Sequence, residues 1–212
     1  MKITVKTTLL PAEFVGTRIG VRVRDDLERT YGIGKINLVA GETAKVDWGD
    51  GTADTLTADA SNLTHVYPLA GEYEIRLTGG IARLTVTGQP ATSPCKIYAK
   101  DVLSFFSNSP QLMKLNASAF QGCTNLTEFN VEECPIGQIL EYMMTGCESL
   151  PPVIRFPCVT TITGSSGHQP FQGCTSLREI RFSEAFKDSI TSSACYQADP
   201  HLGSPSAEVI FE

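Results

Sequence analysis

The sequence predicts a mainly β, two-domain chain: a β-sandwich followed by a short repeat solenoid with brief helical turns. Three observations carry this. Residues 1–88 hold several short runs of period-two alternation and no helical period. A seven-residue stretch, Phe120-Gln121-Gly122-Cys123-Thr124-Asn125-Leu126, returns almost unchanged as Phe171-Gln172-Gly173-Cys174-Thr175-Ser176-Leu177. A worn copy, Met144-Thr145-Gly146-Cys147-Glu148-Ser149-Leu150, lies between them, so the three cysteines stand 24 and 27 residues apart. Periods of that size belong to stacked repeats that share one core.

Composition narrows the function classes. The 212 residues are 42% apolar and 19% charged, with a net charge of −6, which argues against a nucleic-acid partner because a phosphate backbone calls for a basic face. No apolar run reaches the length of a membrane span. The start, Met1-Lys2-Ile3-Thr4-Val5-Lys6, alternates and lacks the apolar block of a signal peptide; either the protein stays inside or a leader has been removed.

In the first domain, strands are expected at Ile3–Val5, Ile19–Val23, Lys35–Leu38, Ala44–Trp48, Tyr73–Leu77 and Ala82–Val86. Several short strands with turns between them suggest two packed sheets. Asp50-Gly51 supplies a tight turn, and Trp48, the only tryptophan, sits where its ring can fill the core. Trp48-Gly49-Asp50-Gly51-Thr52, then His65-Val66-Tyr67, then Gly71-Glu72-Tyr73-Glu74-Ile75-Arg76-Leu77 resemble, in that order, the polycystic kidney disease (PKD) family. The resemblance covers residues 44–87 and implies an immunoglobulin-like β-sandwich in which these motif positions chiefly keep the fold. Asp47, Asp50 and Asp54 have no spacing that wraps a cation, and turn capping explains them better than calcium. His65 has no nucleophile spaced to partner it and reads as a structural residue.

Residues 89–94 form a linker stiffened by Pro90 and Pro94, and residues 95–212 form the repeat domain. Aligned on their cysteines, the copies give one column of Leu126, Leu150 and Leu177 and another of Phe129, Val153 and Ile180. Arg155 breaks the apolar alternation of the middle copy and Pro151-Pro152 blocks pairing, so that rung is expected to be irregular. A degraded copy is read at Phe106–Leu112, with Ser109 in the Cys place. Gln138–Met144 is expected to form a short helix, Ala117–Phe120 a helical turn, Cys195–Gln197 the start of an uncompleted unit, and Glu208–Glu212 a capping strand. These FQGCTNL and FQGCTSL units resemble the bacterial surface-antigen (BspA-type) leucine-rich repeat.

Seven cysteines remain to be placed. Cys123, Cys147 and Cys174 share one repeat position, and Cys134 and Cys158 another, with Ala185 third. A small residue at fixed register reads as a buried packing column of free thiols. Disulfides between rungs are the alternative. No CxxC pair exists, so no zinc site is expected.

Three histidines, His65, His168 and His201, lie in unrelated segments, and no nucleophile, base or phosphate loop converges with them. No cofactor, metal or enzymatic activity is therefore expected. The two resemblances imply a cell-surface or secreted adhesion or recognition module for a host protein, matrix component or glycan, without membrane insertion of this chain. Its candidate binding face comprises Thr127, Glu128, Asn130, Arg155, Arg178, Glu179 and Arg181. The alternatives are a carbohydrate-binding accessory of a polysaccharide-degrading system and a purely structural spacer.

Overall fold

The computed structural model describes residues 14–87, 94–165 and 167–212. The chain is mainly β with a few short helices. Its first part contains β1 (Thr17–Val23), β2 (Thr30–Leu38), β3 (Ala44–Asp47), β4 (Ala53–Leu56), β5 (Ala60–Val66), β6 (Gly71–Gly79) and β7 (Ile81–Thr85). The expected runs at 19–23, 35–38, 44–48, 73–77 and 82–86 fall on these strands; the run at 3–5 lies outside the described residues. β4 and β5 carry little alternation to find, because each is a sheet edge whose side chains are mostly exposed.

The strands pair antiparallel in two groups, β1-β6-β3-β4 and β7-β2-β5. Every second residue turns inward. Ile19, Val21, Val46, Ile75 and Leu77 of one sheet are fully buried, as are Ile33, Ile36 and Leu84 of the other. Each such side chain contributes about 1.5–3 kcal/mol of transfer free energy.

The second part opens with a 3-10 helix, Pro94–Asp101, and then stacks short strands. These are β8 (Val102–Ser107), β9 (Lys114–Leu115), β10 (Glu128–Asn130), β11 (Gln138–Ile139), β12 (Val153–Phe156), β13 (Thr161–Ile162), β14 (Glu179–Phe182) and β15 (Glu208–Phe211). Helices α1 (Lys187–Thr191) and α2 (Ala194–Ala198) lie before the last strand. A front column pairs β8 with β10, and β12 with β14 and β15; a back column pairs β9, β11 and β13; all these pairs are parallel.

Both columns continue the first part's sheets. β8 pairs antiparallel with β1, and β9 parallel with β7, giving six-stranded sheets β10-β8-β1-β6-β3-β4 and β13-β11-β9-β7-β2-β5. One hydrophobic cluster runs without interruption from Ile19 to Ala207. The two sequence units are thus joined by strand pairing as well as through residues 88–93, which lie outside the described residues.

Each repeat turn is fixed by its glycine and cysteine. Gly122, Gly146 and Gly173 all take φ near +75° (77°, 74° and 75°), a conformation that glycine adopts without steric cost. The Gly122 amide donates to Thr145 O and that of Gly146 to Gln172 O, both at 2.8 Å, tying one rung to the next. The Cys147 thiol donates to Phe120 O and the Cys174 thiol to Met144 O, each at 3.1 Å. Along the front strands Phe105, Phe129, Phe156, Phe182 and Phe211 follow one another with ring centroids 5.7–6.1 Å apart.

Several local expectations change. The register Phe105↔Phe129 makes residues 95–106 the degraded copy, with Ala99 against Gly122; Ser109 lies in the following turn, not in a Cys place. Gln138–Met144 is a two-residue strand followed by turns, because Gln138 pairs with Lys114 and Thr161. The Pro pair inserts one residue between Leu150 and its strand. Ile154, not Val153, therefore packs opposite Ile180, and Arg155 stands beside Arg181 on the outer side. The irregularity falls before β12. Thr127 N donates to Leu103 O and Arg178 N to Pro152 O, but Pro152 has no N–H for the equivalent bond, and β10 and β12 remain unpaired.

No disulfide joins the cysteines among the described residues. Cys158, however, is exposed, as is Ala185, so they form no packing column with the buried Cys134. The residue inserted before β12 shifts the following turn by one, so Val159, whose amide donates to Phe156 O as that of Cys134 does to Val131 O, takes the buried place and Cys158 is turned out. The unit begun near Cys195 is completed in its backbone. Phe171 N donates to Leu202 O at 3.0 Å, as Phe120 N does to Met143 O at 2.8 Å, and β15 then pairs with β14.

Candidate interaction face

The outward positions of the front strands hold the candidate residues. Phe129, Ile154, Phe156, Ile180 and Phe182 point into the core, which turns Glu128, Asn130, Arg155, Glu179 and Arg181 outward. Three of these join a charge network. The Arg181 guanidinium contacts Glu179 at 2.5 Å and Glu212 at 2.7 Å, and Arg155 reaches Glu212 at 3.3 Å and Glu132 at 3.8 Å. Hydrogen bonds that Arg181 donates to Glu179 and Glu212 raise its pKa and hold it charged. A groove of ≈ 320 Å³ runs between Glu132, Arg155, Pro157, Arg181 and Glu212.

The remaining four candidates are placed differently, and Asn130 Oδ1 accepts from Glu132 N at 3.0 Å. Glu128 makes no ion pair among the described residues and stands exposed across from Ser104. Thr127 Oγ1 donates to Leu103 O at 3.3 Å. Arg178 is turned to the edge, where its guanidinium binds Thr175 O, Leu177 O and Ser206 Oγ at 2.8–3.2 Å. Glu132 and Glu212, which complete the network, were absent from the sequence-derived set; they lie just beyond the ends of β10 and β15, where alternation gives no signal.

Because β8 pairs with β1, the face extends into the first part. Arg18, Gly20 and Arg22 of β1 lie outward beside Arg76, Glu74 and Glu72 of β6. Arg18 contacts Glu74 at 3.4 Å, Arg22 contacts Glu72 at 3.3 Å, and the Arg18 guanidinium sits 5.1 Å over the Phe106 ring. At the seam an open cleft of ≈ 570 Å³ lies between Arg22, Glu72, Glu74, Thr127 and Glu128. Gly20 and Ser104 form its floor. A Cβ on Gly20 would stand 2.3 Å from Ser104 Oγ, so a side chain there would make that hydroxyl rotate away.

The aspartate and histidine positions are held by the protein itself. Asp47 accepts from Gly49 N, and Asp54 from the Trp48 indole at 2.8 Å. Asp50 accepts from Thr52 and lies 2.8 Å from His65 Nε2, whose ring stacks on Trp48 at 4.9 Å. Burial pushes the Asp50 pKa up, but the hydrogen bonds from Thr52 and His65 outweigh it and bring it down to about 2. Tyr67 OH closes the cluster by donating to Trp48 O at 3.1 Å. His168 meets Glu141 at 3.3 Å and His201 meets Ala207 O at 2.7 Å, at separate places. Among the described residues, no three His, Cys, Asp or Glu side chains gather as a metal-binding group, and no helix is long and apolar enough to cross a membrane.

The repeating turn, with its stacked glycines, buried thiols and parallel strands, is also what a family comparison detects. The model of the BspA type leucine-rich repeat region, in six copies, matches residues 95–202, just over half of the chain. The chain belongs to that family. The BspA-type match starts at Cys95, where the structure places the degraded copy, and ends at Leu202, in the turn that precedes β15. No curated protein and no solved structure matches the chain.

Proposed function

We propose that the protein is a non-catalytic recognition module, displayed at the cell surface or secreted, whose front face binds a host or matrix protein. In this reading the BspA-type repeats form a leucine-rich solenoid over residues 95–212. Residues 1–88 form a PKD-type immunoglobulin-like sandwich that closes the solenoid's open end, with 89–94 as the join. Strand order supports the sandwich in part: β2 beside β5 and β6 beside β3 match an immunoglobulin domain, whereas β1 and β7 lie in each other's sheets. That exchange leaves β1 and β7 free to receive β8 and β9.

The observation that carries the proposal is the width of the outward front face. It runs from β6 and β1 across β8 and β10 to β12, β14 and β15, with paired Arg and Glu side chains around two shallow grooves. Charges already held in pairs present fixed hydrogen-bonding geometry to a partner, which favours specificity over raw affinity.

The test is binding of the full chain to an array of matrix proteins and glycans, followed by a Glu128→Ala, Arg155→Ala, Arg181→Ala triple variant. Saturable binding to a protein, weakened at least about tenfold in the folded variant, is expected. Binding that the triple variant leaves unchanged would remove the front face as the site.

A further inference from the structure

The outer face of β13-β11-β9-β7-β2-β5 carries a second surface on the other side of the core. Ile36, Leu84, Leu115, Ile139 and Ile162 of these strands are buried, so Asn37, Arg83, Lys114, Gln138 and Thr161 face outward. The strand register sets these five in one row. Asn37 pairs with Arg83, Arg83 with Lys114, Lys114 with Gln138, and Gln138 with Thr161. Four inter-strand steps make the row about 19 Å long. Lys35 lies on the same face, two residues from Asn37.

Arg83 and Lys114 are direct neighbours on paired strands, and like charges so placed oppose the pairing. Neither they nor Lys35 belongs to an ion pair among the described residues, in a chain of net charge −6. Arg18, Arg22, Arg24, Arg76, Arg155, Arg181 and Lys187 all do, while Arg29, Lys45, Lys100 and Arg178 lack an ion pair too; what sets the row apart is the direct pairing of two cations that both lack one. Asp59, whose carboxylate accepts from Leu38 N and Asn37 Nδ2, lies close enough to Lys35 and Arg83 to offset part of their charge. The row offers adjacent cations, only partly offset by Asp59, in line with amide and hydroxyl groups on a flat sheet.

We propose that this row binds an acidic polysaccharide, a sugar chain bearing carboxylate or sulfate groups. Arg83 and Lys114 take the anionic groups, Lys35 adds field from one side, and Asn37, Gln138 and Thr161 bond the hydroxyls. The proposal goes beyond the recognition reading, because it uses the opposite face and another class of ligand; front-face variants leave it untouched.

The test titrates the full chain with polygalacturonate, dextran sulfate and neutral dextran, from about 0.05 to about 0.3 M salt. An Arg83→Ser, Lys114→Ser variant is compared with a Lys45→Ser, Lys100→Ser variant, which removes the same charge from exposed positions off the row. Saturable, salt-sensitive binding to at least one acidic polymer and none to neutral dextran is expected. The row variant should bind at least about tenfold more weakly while its unfolding midpoint stays level or rises, and the control pair should bind as the parent does. The carboxylate and sulfate arms then identify the anionic group. No binding to either acidic polymer, equal losses in the two variants, or equally tight binding of a short DNA duplex would each overturn the proposal.

Discussion

The Arg24 guanidinium lies 3.0 Å from the carboxylate of Asp101, a buried group 77 residues away at the end of the 3-10 helix that opens the repeats. Burial raises the Asp101 pKa, and Arg24 opposes that shift. Replacing Arg24 with alanine would leave the carboxylate buried without its cation, at a cost on the order of 2–3 kcal/mol at neutral pH. A raised carboxyl pKa means that folding favours the proton, so the penalty is smaller below that pKa and grows as pH rises through it. Urea unfolding of Arg24→Ala at acid and neutral pH should show this trend, and Asp101→Asn should recover part of the loss.

Asp50 has the opposite sign. Its folded-state pKa of about 2 lies below the ordinary 3.8, so its contribution is complete above 3.8 and is lost as pH falls towards 2. Asp50→Asn should cost about 1–3 kcal/mol near neutrality, through weaker bonds to Thr52 and His65. Unfolding midpoints of parent and variant should converge between those two pH values.

Thiol reactivity should separate the cysteines. Cys158 is exposed, whereas Cys95, Cys123, Cys134, Cys147, Cys174 and Cys195 are buried, and burial lifts the Cys195 pKa to about 11. Mass spectrometry after a short alkylation of the native protein should find Cys158 labelled and the others labelled only in denaturant.

The phenylalanine ladder should be sensitive to truncation. Phe156 is 1% exposed and stands between Phe129 and Phe182. Phe156→Ala should destabilise the chain by about 3–5 kcal/mol, and Phe156→Leu, which keeps more of the volume, by clearly less. Thermal unfolding of the two variants measures the difference.

Local pattern made much of this legible. Alternation locates β1, β2, β3, β6 and β7, and the recurring Gly-Cys pair locates the turns, because each depends on a few adjacent residues. The same alternation turns Arg155, Glu179 and Arg181 outward. What stayed hidden depends on register or on distant pairing. One residue inserted by Pro151-Pro152 exchanges Val153 for Ile154 in the core, and the same shift puts Val159 in the buried place and exposes Cys158. The pairing of Gly20 with Ser104 joins strands more than eighty residues apart, and no local feature announces it. The candidate face was therefore seen only over the repeats, without Arg22, Glu72 and Glu74.

The central claim is that both parts share two six-stranded sheets and one hydrophobic core. Trp48 is the only tryptophan and lies in the first part, while Cys147 and Cys174 are buried in the repeats. The most direct measurement follows Trp48 fluorescence and labelling of those two thiols across one denaturant titration. Coincident transitions with one midpoint are expected. Thiols that become reactive while Trp48 is still native, or the reverse, would contradict the shared core.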